Sequence, residues 1–289
     1  MIKIVVDSIC DLPKHLLEEY DIKVMPLNVI LNDVVYRDGV DIQIEDVYDQ
    51  MRQGVVPKTS QISPEVIYEV FGNYFKSAQD FIYLAFSSAL SGSCSLAKMI
   101  QKEMQAQYPS VKMEVVDSKS GSLGIGLIAL QAAKMAQKGY DFHTIMGQID
   151  FMIKHVEHIL AITDLSWLVK GGRIGKIIGK TGSILDIRPI LEVQDGHIKV
   201  IGAARGNRKM LNAVADLVLQ RIKDFPGQLV GIGHAEDLVN AQAMERILKE
   251  KVGLSHFMID KIGCVLGAHL GIGGVGVLFF NKKPDLYID

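Results

Sequence analysis

The chain has 289 residues, of which 48% are hydrophobic and 22% charged, and its formal net charge is -2. This is ordinary globular composition, long enough for one large or two smaller domains around a sizeable core. Near-neutrality excludes a global field directed at nucleic acid or an anionic membrane, although local patches remain open.

The opening MIKIVVDS reads as a first strand at Ile2–Val6 and not as a signal peptide. A helix is expected over Leu12–Tyr20, with Pro13 in its first turn. Further strands at Phe81–Phe86 and Met113–Val116 each precede a helix, and Leu123–Gln137 is a helix closed by Gly139. Such alternation predicts an α/β layer with a mostly parallel sheet and its ligand outside the strands' C-terminal ends. After about Asp150 the pattern changes. A strand at Ile159–Thr163 and a helix at Leu165–Val169 lead into a Gly- and Lys-rich run from Gly171 to Ser183. Ile187–Gln194 and His197–Ala203 flank Asp195-Gly196 as a hairpin. Helices near Gly206–Lys223 and Leu238–Val252, a strand at Leu229–Gly233 and a last strand at Val275–Phe280 complete a mixed α/β second part. We therefore expect two tightly packed domains, 1–157 and 158–289.

The sequence VVDS occurs at Val5–Ser8 and again at Val115–Ser118. Asp-Ser is good N-cap chemistry; alternatively, both strands end at one ligand crevice. Apolar stretches stop well short of a membrane-spanning length. Three scattered cysteines, Cys10, Cys94 and Cys264, argue for a reducing cytoplasm and against a disulfide framework.

Several motifs fail their structural context. Gly271-Ile272-Gly273-Gly274-Val275-Gly276 has the dinucleotide glycine spacing, but a strand and the chain end follow it. Gly179-Lys180-Thr181 lacks the first P-loop glycine, because Ile174 stands there. His155 and His158 lack metal-site spacing and read as surface helix residues. No metal or cofactor is expected. Ser91, in Ala89-Leu90-Ser91-Gly92-Ser93, misses the hydrolase elbow at its first position, yet a serine acyl hydrolase stays open as the alternative.

What remains favours binding. Two hydroxyl-rich turns, Thr59-Ser60-Gln61-Ile62-Ser63-Pro64 and the serines from Ser87 to Ser93, could hold one carboxylate together with His269. The bland readings are N-caps for the hydroxyls and a satisfied core residue for the histidine. Basic runs through Lys170, Arg173, Lys176, Lys180 and Arg188, and through Arg205, Arg208 and Lys209, suit a docking face for an acidic or phosphate-bearing partner.

Together these segments resemble the DegV family. The matching runs include Val6-Asp7-Ser8, Asp11-Leu12-Pro13, Thr59-Ser60-Gln61, Ser87-Ser88, Leu90–Ser93, Val116–Ser118, Gly171–Gly175, Pro189–Leu191, Asp195-Gly196 and Gly267–Gly271. They occur in family order over nearly the whole chain. The resemblance implies a non-enzymatic carrier that binds a long-chain fatty acid between its domains. A separate ATP-dependent fatty acid kinase would then phosphorylate the carboxyl group, and the acyl phosphate would enter phospholipid synthesis. By position, Thr59, Ser91 and His269 would bind the carboxylate, supported by Ser60, Gly92 and Ser93. Arg173, with Arg205, would face the kinase, so that Arg173→Ala would spare lipid affinity.

Overall fold

The structure is a computed structural model that describes residues 1–173 and 186–289. It opens with β1 (Lys3–Asp7), a 3-10 turn at Ser8–Cys10 and α1 (Lys14–Glu19). Strands β2 (Lys23–Met25), β3 (Asn28–Leu31) and β4 (Val34–Arg37) are followed by α2 (Ile44–Arg52), β5 (Lys58–Ser60) and α3 (Pro64–Lys76). Next come β6 (Phe81–Ala85), α4 (Ser93–Gln105), β7 (Met113–Asp117), α5 (Leu123–Gln137) and α6 (Phe142–His155). The remainder comprises β8 (Val156–Ala161), α7 (Ser166–Lys170), β9 (Ile187–Gln194), β10 (His197–Arg205) and α8 (Asn207–Arg221). Then follow β11 (Leu229–His234), α9 (Leu238–Val252), β12 (His256–Lys261), α10 (Cys264–Leu270) and β13 (Val275–Phe280).

Three sheets result. The first is wholly parallel, in the order β2-β1-β6-β7. Every residue of β6 is buried, as an unbroken apolar run between two covered faces requires. The second, β10-β9-β8-β13-β11-β12, is antiparallel except for the β11–β12 pair. A small antiparallel sheet, β4-β3-β5, completes the set and was not anticipated. Its strands are only three or four residues long, too short for alternation to register.

Helix α5 joins the two large sheets. It is apolar on nearly all sides and packs against β1 on one flank and β11 and β13 on the other. A second core lies on the far side of the six-stranded sheet, under α8 and α9. The border expected after residue 157 falls inside β8, where α6 runs straight into that sheet.

Two local readings change. Pro13 stands just before α1, and a 3-10 turn occupies the preceding residues. His158 is not on a helix surface: it lies in β8, buried, with its Nε2 2.6 Å from Ser120 Oγ. Strand alternation turns it inward, and the serine supplies the partner that a buried imidazole needs. His155 ends α6 and meets Asn281 Oδ1 through Nδ1 at 2.8 Å. Lys176, Lys180 and the Gly179-Lys180-Thr181 run lie outside the described residues.

Candidate functional site

The site grows from the loop between β6 and α4. Strand β6 lies between β1 and β7, so the two VVDS segments end on either side of this loop. Asp7 accepts from the Phe86 N–H at 2.5 Å and from the Tyr83 hydroxyl. Asp117 accepts from the Ser88 N–H at 3.1 Å and from the Ser88 hydroxyl. The echo is therefore not N-cap chemistry, and Asp7 makes no cap bond. Two aspartate side chains hold one serine loop from both flanks. Burial pushes Asp7 up to about 7, against the opposing hydrogen bonds from Tyr83 and Phe86. On the outer side Ser87, itself buried, donates to the Gly196 carbonyl at 2.9 Å and ties the loop to the β9–β10 hairpin tip.

Thr59 and Ser60 sit in strand β5 and not in a turn, because Val29 and Asn28 of β3 pair with them. The turn itself is Gln61–Ser63, and Pro64 opens α3 as expected. Ser60 Oγ accepts from Asn28 Nδ2 at 3.2 Å. Ser91 Oγ lies 3.1 Å from Ser93 Oγ and accepts from the Ser93 N–H at 3.3 Å. Ser93 Oγ in turn accepts from the Ile62 N–H at 3.3 Å. Ser93 thus stitches the serine loop to the Thr59 segment from behind.

His269 reaches this place from α10, across 210 residues of sequence, and its Nε2 lies 2.7 Å from Thr59 Oγ1. The imidazole is 7% exposed, and its Nδ1 is buried without a partner. It packs so closely on Gly171 that any Cβ there would collide with Nδ1. Burial, reinforced by the Arg173 charge, lowers its pKa to about 4, so the ring is neutral near pH 7. One nitrogen then carries the proton. A bare buried N–H is rarer than a bare acceptor, which assigns the proton to Nε2. His269 donates to Thr59 Oγ1, and the Thr59 hydroxyl hydrogen is free to point elsewhere.

Thr59, Ser60, Ser91, Gly92 and His269 line one cavity of about 300 Å³, at the lower end of small-molecule sites. Its apolar wall includes Leu27, Phe86, Leu90, Leu168, Leu266 and Leu270. Ile198 of β10 joins them, so segments before and after residue 157 both contribute to the wall. The walls can hold an aliphatic chain, while the hydroxyls of Thr59, Ser60 and Ser91 offer donors to an anionic head. Ser93 is fully buried behind them.

Arg173, half-buried, also lines this wall. Its Nη1 donates to the Gly171 carbonyl at 2.6 Å and its Nε to the Leu90 carbonyl at 3.4 Å. The expectation that Arg173→Ala would spare the ligand therefore changes, because the side chain borders the ligand space. Arg205 stands apart, exposed at the end of β10. Ser91 has Ser93 as its hydrogen-bond partner, not a base, and the neighbouring histidine is engaged by Thr59. Sequence reasoning missed Gln61 and Gly171 as site residues; the VVDS echo was the signal for Asp7 and Asp117.

Among the described residues, no helix is long and apolar enough to cross a membrane. The family model described as "Uncharacterised protein, DegV family" matches residues 1–282. A DegV domain-containing protein of Caldanaerobacter subterraneus is 33% identical over 281 residues, covering 97% of this chain and 99% of its own. The structure of a DegV family protein from Thermus thermophilus, described as fatty acid binding, has a TM-score of 0.89 at 25% identity, over 96% of this chain and 99% of its own. A stearic-acid-binding protein from Eubacterium ventriosum also has a TM-score of 0.89, at 27% identity, over 96% and 98% of the two chains. The chain, whose parallel sheet, serine loop and Thr59–His269 pair meet at one cavity, belongs to the DegV family.

Proposed function

We propose that this protein binds a long-chain fatty acid in the cavity between its two domains and holds the carboxylate on Thr59 and Ser91. The observation that carries this reading is the pairing of an apolar wall with hydroxyls, one of them oriented by a neutral buried histidine. The fatty acid binding described for the Thermus and Eubacterium proteins supports it. Each methylene removed from water contributes about 0.8 kcal/mol, so a long tail supplies on the order of 10 kcal/mol before ordering costs. An ionised head group in such a site needs donors, and Thr59 and Ser91 supply them while His269 positions the first.

The protein acts as a carrier without chemistry of its own. It presents the carboxylate to a separate ATP-dependent kinase, where a carboxylate oxygen bonds to the γ-phosphorus and ADP leaves. The acyl phosphate then enters phospholipid synthesis. Arg173, in the cavity wall, offsets phosphate charge, and Arg205 belongs to the face that meets the kinase. Three free, buried cysteines fit the reducing cytoplasm. The domain border lies after residue 157, two residues into β8.

Mass spectrometry of an organic extract from the natively purified protein tests the carrier reading. A near-stoichiometric long-chain fatty acid is expected. An empty protein that also refuses added fatty acid would overturn it.

A further inference from the structure

Gln61 lines the same cavity as Thr59 and Ser91, two residues beyond Thr59. Its backbone carbonyl is taken by Asn28 Nδ2 at 3.1 Å, which anchors the residue. Its side-chain amide has no hydrogen-bond partner among the described residues, unlike the braced hydroxyl of Ser91. The amide lies directly over Gly92: a Cβ at residue 92 would collide with Gln61 Oε1 and come within 3.3 Å of its Cδ. Gly92 has an ordinary right-handed backbone, φ -77 and ψ -8, that any residue adopts. The glycine is thus not needed for the turn. What its missing side chain provides is room for the Gln61 amide beside Ser91.

From this we propose that Gln61 is a further head-group residue: its amide N–H donates to the bound carboxylate, and Gly92 keeps the space in which it does so. The inference rests on the fatty acid reading above. An amide suits the position, since it offers a donor to an anion without the fixed charge that would hold product too tightly.

The test measures binding of palmitate and of hexadecanol, which has the same tail without the carboxylate. Gln61→Ala is expected to weaken palmitate about 3- to 10-fold, the loss of one hydrogen bond near solvent, and to leave hexadecanol unchanged. Gln61→Glu, close in size but anionic, should weaken palmitate further. Gly92→Ala should mimic Gln61→Ala by displacing the amide, and adding it to Gln61→Ala should cost nothing more. Unchanged palmitate affinity in Gln61→Ala, equal losses for palmitate and hexadecanol, or additive effects of the two alanines would each overturn the proposal. If the wild-type protein bound neither compound, the fatty acid reading itself would fall, and the two failures are thereby distinct.

Discussion

The chemistry of the cavity turns on one neutral imidazole. His269 has its pKa lowered to about 4 by burial and by Arg173, so it cannot serve as the counter-ion of a carboxylate near neutrality. In the proposed reading its work is positional: the neutral ring donates a hydrogen bond from Nε2 to Thr59 Oγ1 and so fixes Thr59. Fatty acid affinity should accordingly show no step near pH 6.5, the point at which an imidazolium counter-ion would be lost. Titration of binding between pH 5.5 and 8 checks this, and a fall centred on 6.5 would return the charge to His269. Thr59→Val keeps the side-chain shape, removes the hydroxyl and leaves Nε2 unpaired. It should weaken binding by about ten- to a hundredfold, as read by calorimetry, with Ser91→Ala in the same direction. Unchanged affinity in both would remove the carboxylate cradle. The residue types were legible in the sequence; the role of His269 was not, because nothing in a run of small and apolar residues says which distant hydroxyl its ring meets.

At the scale of elements, the site is a loop held by its neighbours. Strands β1 and β7 end in aspartates that hold the serine loop after β6, and the β9–β10 hairpin closes on it from the far sheet. That hairpin turns through Asp195 and Gly196, both at positive φ (49° and 81°), and its boundaries follow the Asp-Gly signal. A Cβ at Gly196 would collide with Ser87 Oγ as well as adopt a strained backbone. Gly196→Ala should therefore destabilise the protein by about 1–2 kcal/mol, seen as a lower urea midpoint; an unchanged midpoint would show that the tip is not docked. The long helices α5 and α9 and strand β13 coincide with the segments expected from the sequence. Strands β2 to β5 did not register because three or four half-exposed residues carry too little pattern.

Across the whole molecule, buried titratable groups set how stability depends on pH. Burial raises Asp7 to about 7 and Asp11 to about 8; the latter is held by the Ser122 hydroxyl and the Gly263 N–H. Each keeps its proton in the fold while the unfolded chain releases it above about pH 4. The fold then binds more protons than the unfolded chain, so stability falls as pH rises through this window. His158 and His269 act oppositely. Both stay neutral in the fold down to about pH 4, whereas the unfolded chain takes up protons below about 6.5, so their contribution is lost as pH falls from 6.5 to 4. The two trends offset each other below 6.5. Between about 6.5 and 8 the aspartates raised by burial, Asp38 among them, set the slope, by at most about 1.4 kcal/mol per pH unit each. The melting temperature should therefore drop across that range, and Asp11→Asn should flatten the drop; a rise in the parent protein would refute it. By itself the sequence determined the parallel first sheet, the hairpin, the long helices and the hydroxyl-bearing segments, because periodicity and turn chemistry are local properties. Only the tertiary structure decided that Thr59 meets His269, that Arg173 lines the cavity, that Gln61 fills the space over Gly92 and that His158 is buried. Those are contacts between distant segments, and they depend on strand register and on the packing of one sheet against another.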